Sequence, residues 1–180
     1  MERPGQFFLL GLVFMIANGA LSSTGVGIIF VGPLLAGMYY SIQKAINTGD
    51  VEIGDLFKGF SIFVPAMVAG LLIGLFQGIG FVLCIVPGII VTMMYKMTYL
   101  FILDRDMDFW PAMEASRRLF FANFLPLSLL YIVEALLVTA GVLLCYVGVF
   151  FAYPLTVAMT AFAYKSLVGF EKTGPFEPGR

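Results

Sequence analysis

Residues 101–121 read FILDRDMDFWPAMEASRRLFF and hold seven charged side chains: Asp104, Arg105, Asp106, Asp108, Glu114, Arg117 and Arg118. The sequence on either side is almost wholly apolar. Charge is costly in hydrocarbon, so such a cluster marks where an apolar chain leaves the bilayer. On a helical wheel begun at Phe109, the residues Phe109, Ala112, Met113, Ser116, Leu119 and Phe120 share one face. Glu114, Arg117 and Arg118 take the other, with Trp110 at the boundary. That distribution predicts an amphipathic helix along a membrane surface, rings in the acyl boundary and charges among the headgroups. Asp108 precedes the first turn, where negative charge meets the positive end of the helix dipole. Pro111 falls where no intrahelical N–H is required. Glu114 stands four residues before Arg118, a spacing that pairs them for roughly a few tenths of a kcal/mol.

The rest of the chain explains why the charge collects there. Of 180 residues, 61% are hydrophobic and only 12% are charged, and the mean hydropathy is +1.00. Soluble domains carry about 25% charged residues, so this chain lacks the polar surface to cover a water-soluble fold. Histidine is absent, which removes His-based acid–base chemistry and the commonest zinc and haem ligands. With a net charge of -1 and no run of Lys or Arg, nothing favours nucleic acid.

A run of roughly 20 apolar residues spans a bilayer as a helix. Six runs qualify: Gln6–Leu21, Val26–Ile46, Ser61–Cys84, Gly88–Leu103, Phe124–Leu144 and Val147–Val168. They do not alternate as barrel strands would. Three breaks carry no charge: Ser22-Ser23-Thr24-Gly25, Ile85-Val86-Pro87-Gly88 and Cys145-Tyr146. The other two, Asn47–Phe60 and Asp104–Asn123, together with the termini, hold or adjoin nearly every ionic group. Nine of ten Lys and Arg fall there, all but Lys96, and ten of eleven acids, all but Glu134. With six helices the charged breaks lie on one side, which the positive-inside rule makes the cytoplasm. The expectation is an all-α bundle of six transmembrane helices with both termini inside, in a bacterial plasma membrane. Two interfacial helices complete it, the second being a shorter copy around Gly54–Phe60. Residues 1–170 form one domain and 171–180 a short polar tail. One rival is a cleaved signal peptide, Phe7–Ala17 followed by Asn18-Gly19-Ala20. Glu2 cancels Arg3 in its n-region and argues against it.

Candidate residues are few. Lys96 and Glu134 lie inside the lipid zone at comparable depth, so an ion pair between neighbouring antiparallel helices is open to them. The alternative is a snorkelling lysine and a protonated or hydrogen-bonded glutamate. Gln77 is the other mid-membrane polar side chain. Trp110, Arg117, Arg118 and Lys58 form a candidate surface for lipid headgroups or a docking partner, or simple topological anchors. Cys84 and Cys145 each end a helix before an uncharged turn, and an outer-side disulfide is geometrically open. Gly70, Gly74 and Gly78 follow at intervals of four, a spacing for close helix packing. Pro33, Pro87 and Pro154 begin similar stretches, with Met38, Met93 and Met159 beyond them, which points to hairpins repeated in parallel. No metal or cofactor set is legible.

At Gly32-Pro33, Asp55-Leu56-Phe57-Lys58-Gly59-Phe60, Pro87-Gly88 and Asp104 followed by Ala112-Met-Glu114-Ala115-Ser116-Arg-Arg-Leu119, the chain resembles a known group. These are uncharacterised bacterial integral-membrane proteins related to the membrane domain fused to some glycerophosphoryl diester phosphodiesterases. The likeness runs from about Val31 to Phe170. It implies six helices and a plasma-membrane location. It carries over no catalytic residue, because the phosphodiesterase domain is absent from this sequence. The leading expectation is a non-enzymatic scaffold or assembly subunit that docks proteins or lipids at its cytoplasmic face. The alternative is a small transporter or channel using Lys96, Glu134 and Gln77. The oligomeric state is open.

Overall fold

The computed structural model describes residues 12–14, 16, 27–48, 54–143 and 147–170, and every regular element among them is helical. Helix α1 is Gly27–Thr48, and a single turn, α2 (Asp55–Lys58), leads through a 3-10 turn, Gly59–Ile62, into α3 (Phe63–Leu83). The chain continues as α4 (Ile85–Met94), α5 (Thr98–Arg105), α6 (Phe109–Ala122), α7 (Phe124–Leu143) and α8 (Val147–Leu167). Among the described residues, three stretches are long and apolar enough to cross a membrane: Asp55–Leu83, Ile85–Arg105 and Phe124–Leu143. The predicted first run falls outside the described residues except for 12–14 and 16, which are helical, and the tail 171–180 falls outside entirely. Phe14 from that first run is buried and stacks on Tyr153 of α8 at 5.2 Å.

Polarity runs inside out. Leu125, Leu129, Ile132, Val133 and Leu136 form an exposed stripe along α7, and Val64, Leu71, Leu75 and Ile79 form another along α3. Buried among the helices are Ser41, Gln43, Asp55, Asp104, Ser116, Glu134 and Thr160. Apolar stripes of this extent are stable only against lipid, and the polar groups inside must then satisfy one another. The chain is a membrane protein. Helices α1, α5 and α8 supply most of the core, with α3, α4 and α7 around them.

The turn between α3 and α4 differs from the sequence expectation. The chain reverses at Cys84 alone, in extended backbone (φ -174, ψ 155), and Pro87 lies in the first turn of α4. Proline is tolerated there because the first N–H groups of a helix have no intrahelical acceptor. So sharp a reversal needs two glycines: a Cβ on Gly80 would stand 2.9 Å from the Gly88 Cα. Gly141 and Gly148 meet in the same way between α7 and α8, at 2.8 Å. The interval-of-four glycines behave differently. Gly70 packs on Gly32, but among the described residues a Cβ on Gly74 or Gly78 would meet nothing within 4 Å, so there the spacing does not mark a packed helix face.

Helix α6 also corrects an expectation. Its apolar face is buried as the wheel implied, at Ala112, Met113, Ser116 and Phe120. The covering is protein, mainly α3, α4 and α5, rather than acyl chains. Ser116 in that face donates its hydroxyl to Met94 O of α4 at 2.8 Å, a contact that acyl chains would not offer.

Candidate functional site

The fourth apolar run is interrupted at its middle. Helix α4 ends at Met94, Tyr95–Met97 turn, and α5 begins at Thr98. No glycine or proline stands in the interruption. Tyr95 (φ -100, ψ 5) and Met97 (φ -89, ψ 1) occupy the bridge region of backbone space, where turn residues and many active-site residues sit. The i→i−4 ladder gives way to three-residue bonds, Thr98 N–H to Tyr95 O at 3.2 Å and Leu100 N–H to Met97 O at 3.1 Å. Neighbours take up carbonyls at the break. Ser116 of α6 donates its hydroxyl to Met94 O at 2.8 Å, and the Tyr39 hydroxyl of α1 makes a long contact to Lys96 O at 3.5 Å. Non-helical backbone at membrane depth persists only where other groups satisfy it in this way. Among the described residues, the Thr98 hydroxyl, fully buried at the start of α5, has no hydrogen-bond partner.

Lys96 sits in the break. It lies nine residues from Arg105, roughly 14 Å along the helix, and Glu134 lies ten residues into α7, about 15 Å. The depths match because Asn123 separates α6 from α7, so that α7 starts at Phe124. The Lys96 ammonium pairs with Glu134 Oε2 and stands 4.8 Å over the Tyr131 ring. The other carboxylate oxygen, Oε1, accepts a hydrogen bond from the Thr160 hydroxyl of α8 at 2.9 Å. Glu134 is 1% exposed, whereas the Lys96 side chain is 29% exposed.

That exposure is toward two adjoining cavities. The larger, about 410 Å³, is lined by Gln77, Tyr39, Tyr95, Tyr99, Thr92 and Lys96 among others. The smaller, about 370 Å³, takes in Tyr131 and Glu134 and shares Tyr39, Thr92, Lys96 and Tyr153 with the first. Both fall in the range of small-molecule pockets, about 300–1,000 Å³. The three intramembrane polar residues singled out in the sequence therefore converge on one region, with Lys96 between the cavities.

A second polar node lies toward the ends of α1, α5 and α8. Asp104, fully buried, accepts the Gln43 amide on Oδ1 at 3.2 Å and the Tyr164 hydroxyl on Oδ2 at 3.1 Å. Asp55, also fully buried, holds Lys44 at 2.8 Å and Lys58 at 2.9 Å. Lys58 lies 5.4 Å above the Tyr40 ring and is 45% exposed, so its charge is engaged from below. Sequence reasoning grouped Asp55 and Asp104 with solvated charge. A signal for the Asp104 node was present: Gln43 and Tyr164 each stand ten residues beyond the proline of their helix, Pro33 and Pro154.

On the outer side of α6, Trp110 is 59% exposed. Glu114 clamps Arg117 through two bonds, 2.9 and 2.7 Å, and Arg118 through one of 2.9 Å. The Arg117 guanidinium and then that of Arg118 hold the Glu114 carboxyl down at about 2, and Glu114 in turn raises Arg117. The patch carries a net charge of one, two cations less one anion. Cys84 is an exposed free thiol, and its possible partner Cys145 lies outside the described residues. Among the described residues no three of Cys, Asp and Glu stand close enough to hold a metal ion.

The chain is 29% identical over 151 residues to an uncharacterised protein of Mycobacterium bovis, a match that covers 79% of this chain and 46% of the relative. Uncharacterised proteins from two strains of Mycobacterium tuberculosis match at the same identity and coverage. The chain spans just under half the length of these curated relatives. No family model matches the sequence. No solved structure matches it either.

Proposed function

We propose that this protein passes a small polar solute across a bacterial plasma membrane, through the cavities that flank Lys96. The proposed topology is six spans with both termini and the two charged segments in the cytoplasm, as the segregation of Lys and Arg favours. The observation that carries the solute pathway is the interruption at Tyr95–Met97, with a lysine inside it and a cavity on either side. Interrupted helices at the midplane are a recurring way for membrane transport proteins to present polar groups to a substrate. A purely structural ion pair needs neither a break nor cavities. Kinship with the membrane domain of glycerophosphoryl diester phosphodiesterases remains part of this proposal, with a non-enzymatic role.

The test is water access. In a variant whose native cysteines are replaced by serine, Thr92→Cys, which lines both cavities, is expected to react with a water-soluble thiol reagent. Leu129→Cys, on the exposed apolar stripe of α7, is expected to stay inert. Equal inertness at both positions overturns the pathway. A second reading, docking of a partner on the cytoplasmic face, has one observation in its favour, the exposed Trp110 beside Arg117 and Arg118 on α6. Isolation in gentle detergent followed by mass spectrometry tests it, and a protein that runs alone counts against it.

A further inference from the structure

We propose that the larger cavity binds a small aromatic monocarboxylate at Lys96, and that Glu134 takes up one proton with it. This rests on the solute pathway above and names its cargo. Among the described residues, the wall of the larger cavity contains one charged side chain, the Lys96 ammonium, and no carboxylate. Around it stand the hydroxyls of Tyr95 and Tyr99 and the amide of Gln77, groups that can donate hydrogen bonds, set among aromatic and aliphatic surface, while Tyr39 and Thr92 direct their hydroxyls to the carbonyls of Lys96 and Gly88. A carboxylate facing the ammonium, with a flat apolar body lying on tyrosine rings, complements that lining.

Charge balance supplies the proton. Lys96 and Glu134 now neutralise each other. An anion drawing the ammonium away would leave two negative charges against one positive at mid-membrane, where unbalanced charge is costly. A proton placed on Glu134 Oε2 removes the excess. The acid so formed still accepts from the Thr160 hydroxyl on Oε1, and its new O–H can donate. Lys96 keeps its charge and turns from Glu134 toward the incoming carboxylate. The site is neutral before and after, so anion and proton enter one for one. Lys96 lines both cavities while Glu134 lines only the smaller, and the turn of the ammonium is a move from one to the other. Among the described residues, the titratable groups that face Glu134 are Lys96 in the break, Tyr131 on its own helix, Tyr39 of α1 and Tyr153 of α8. Phenols carry no charge near neutrality, which leaves the carboxylate to receive the proton.

Benzoate is the probe, with the full chain in lipid nanodiscs and binding followed by calorimetry in buffers of different ionisation enthalpy. The expected result is uptake of about one proton per benzoate, with affinity rising as pH falls. Glu134→Gln, neutral from the start, is expected to bind benzoate with that pH dependence lost. The double variant Lys96→Met/Glu134→Gln removes both charges together, so it keeps the site neutral and folded, and its affinity is expected to drop roughly tenfold or more. Binding without proton uptake overturns the proposal, as does binding that survives the double variant. No binding in a protein whose Thr92→Cys thiol is reached by water overturns the anion while leaving the pathway standing. An unreachable Thr92→Cys thiol removes the pathway itself.

Discussion

At Lys96 and Glu134 the two charges are buried to different degrees, and the difference decides what each substitution does. Glu134 is 1% exposed and receives its two partners, Lys96 and Thr160, from two other segments. Lys96→Met strips the carboxylate of its cation and leaves it desolvated, a change that costs about 3–5 kcal/mol for buried pairs. Lys96→Met/Glu134→Gln removes both charges and is expected to recover most of that loss, since a neutral amide can still accept from Thr160. Thermal unfolding in a mild detergent reads the difference. If the double variant melts no higher than Lys96→Met, the pair is not what holds these helices together. Depth left a pair open to these residues, beside a snorkelling lysine and a neutral glutamate, and the start of α7 at Phe124 brings the two together. Thr160, Ser116 and Tyr39 were not legible, because hydroxyls abound in membrane helices and no spacing says which one meets a carboxylate or a freed carbonyl.

Among the described glycines, the tightest surroundings are those of Gly37, where α1 meets α2. A Cβ on Gly37 would stand 1.8 Å from the Leu56 carbonyl oxygen, which is backbone and cannot swing aside. Gly37→Ala must therefore push α2 away and carry Asp55 off Lys44 of α1, at a cost of about 1–3 kcal/mol. Gly74→Ala, with open space around its Cβ, is expected to leave the melting temperature unchanged or slightly raised. Equal losses at the two positions would argue that helix propensity, not contact, governs both. On α6 the test is pH. The Glu114 carboxyl is held at about 2, below its ordinary 4.5, so its contribution to the helix is complete above the ordinary value and is lost as pH falls from there through about 2. Trp110, the chain's one tryptophan, stands on the same helix and reports it. Its fluorescence is expected to change on acidification through that window, and Glu114→Gln should flatten that response. The amphipathic face of α6 was plain in the sequence because a period of 3.6 survives any environment. What covers that face was hidden, since a buried Ser116 and a lipid-facing one occupy the same place on a wheel.

For the whole molecule, apolar run lengths and the sorting of charge made the helical class and the membrane location legible, and both follow from single-residue transfer costs summed along the chain. The interruption at Tyr95–Met97 was not legible, because no residue there breaks a helix by itself. It exists through Ser116 and Tyr39, contributed by α6 and α1. The parallel repeat gains support from the same kind of contact. Gln43 and Tyr164 hold equal register after Pro33 and Pro154 and meet on one carboxylate, Asp104. Topology is the remaining step, and helix length bears on it directly. Helix α3 has 21 residues, about 31 Å at 1.5 Å per residue, which matches a hydrocarbon core of about 30 Å. On the proposed topology, a helix that enters the hydrocarbon at Phe63 reaches the far boundary at Cys84, whose thiol is exposed and whose neighbours Val82, Leu83, Ile85 and Val86 bear no charge. In intact cells an impermeant maleimide is expected to label Cys84 and to spare Asp106→Cys placed in a protein with Cys84 and Cys145 replaced. In inverted vesicles the pattern should reverse. Labelling of Asp106→Cys from outside would overturn the proposed topology.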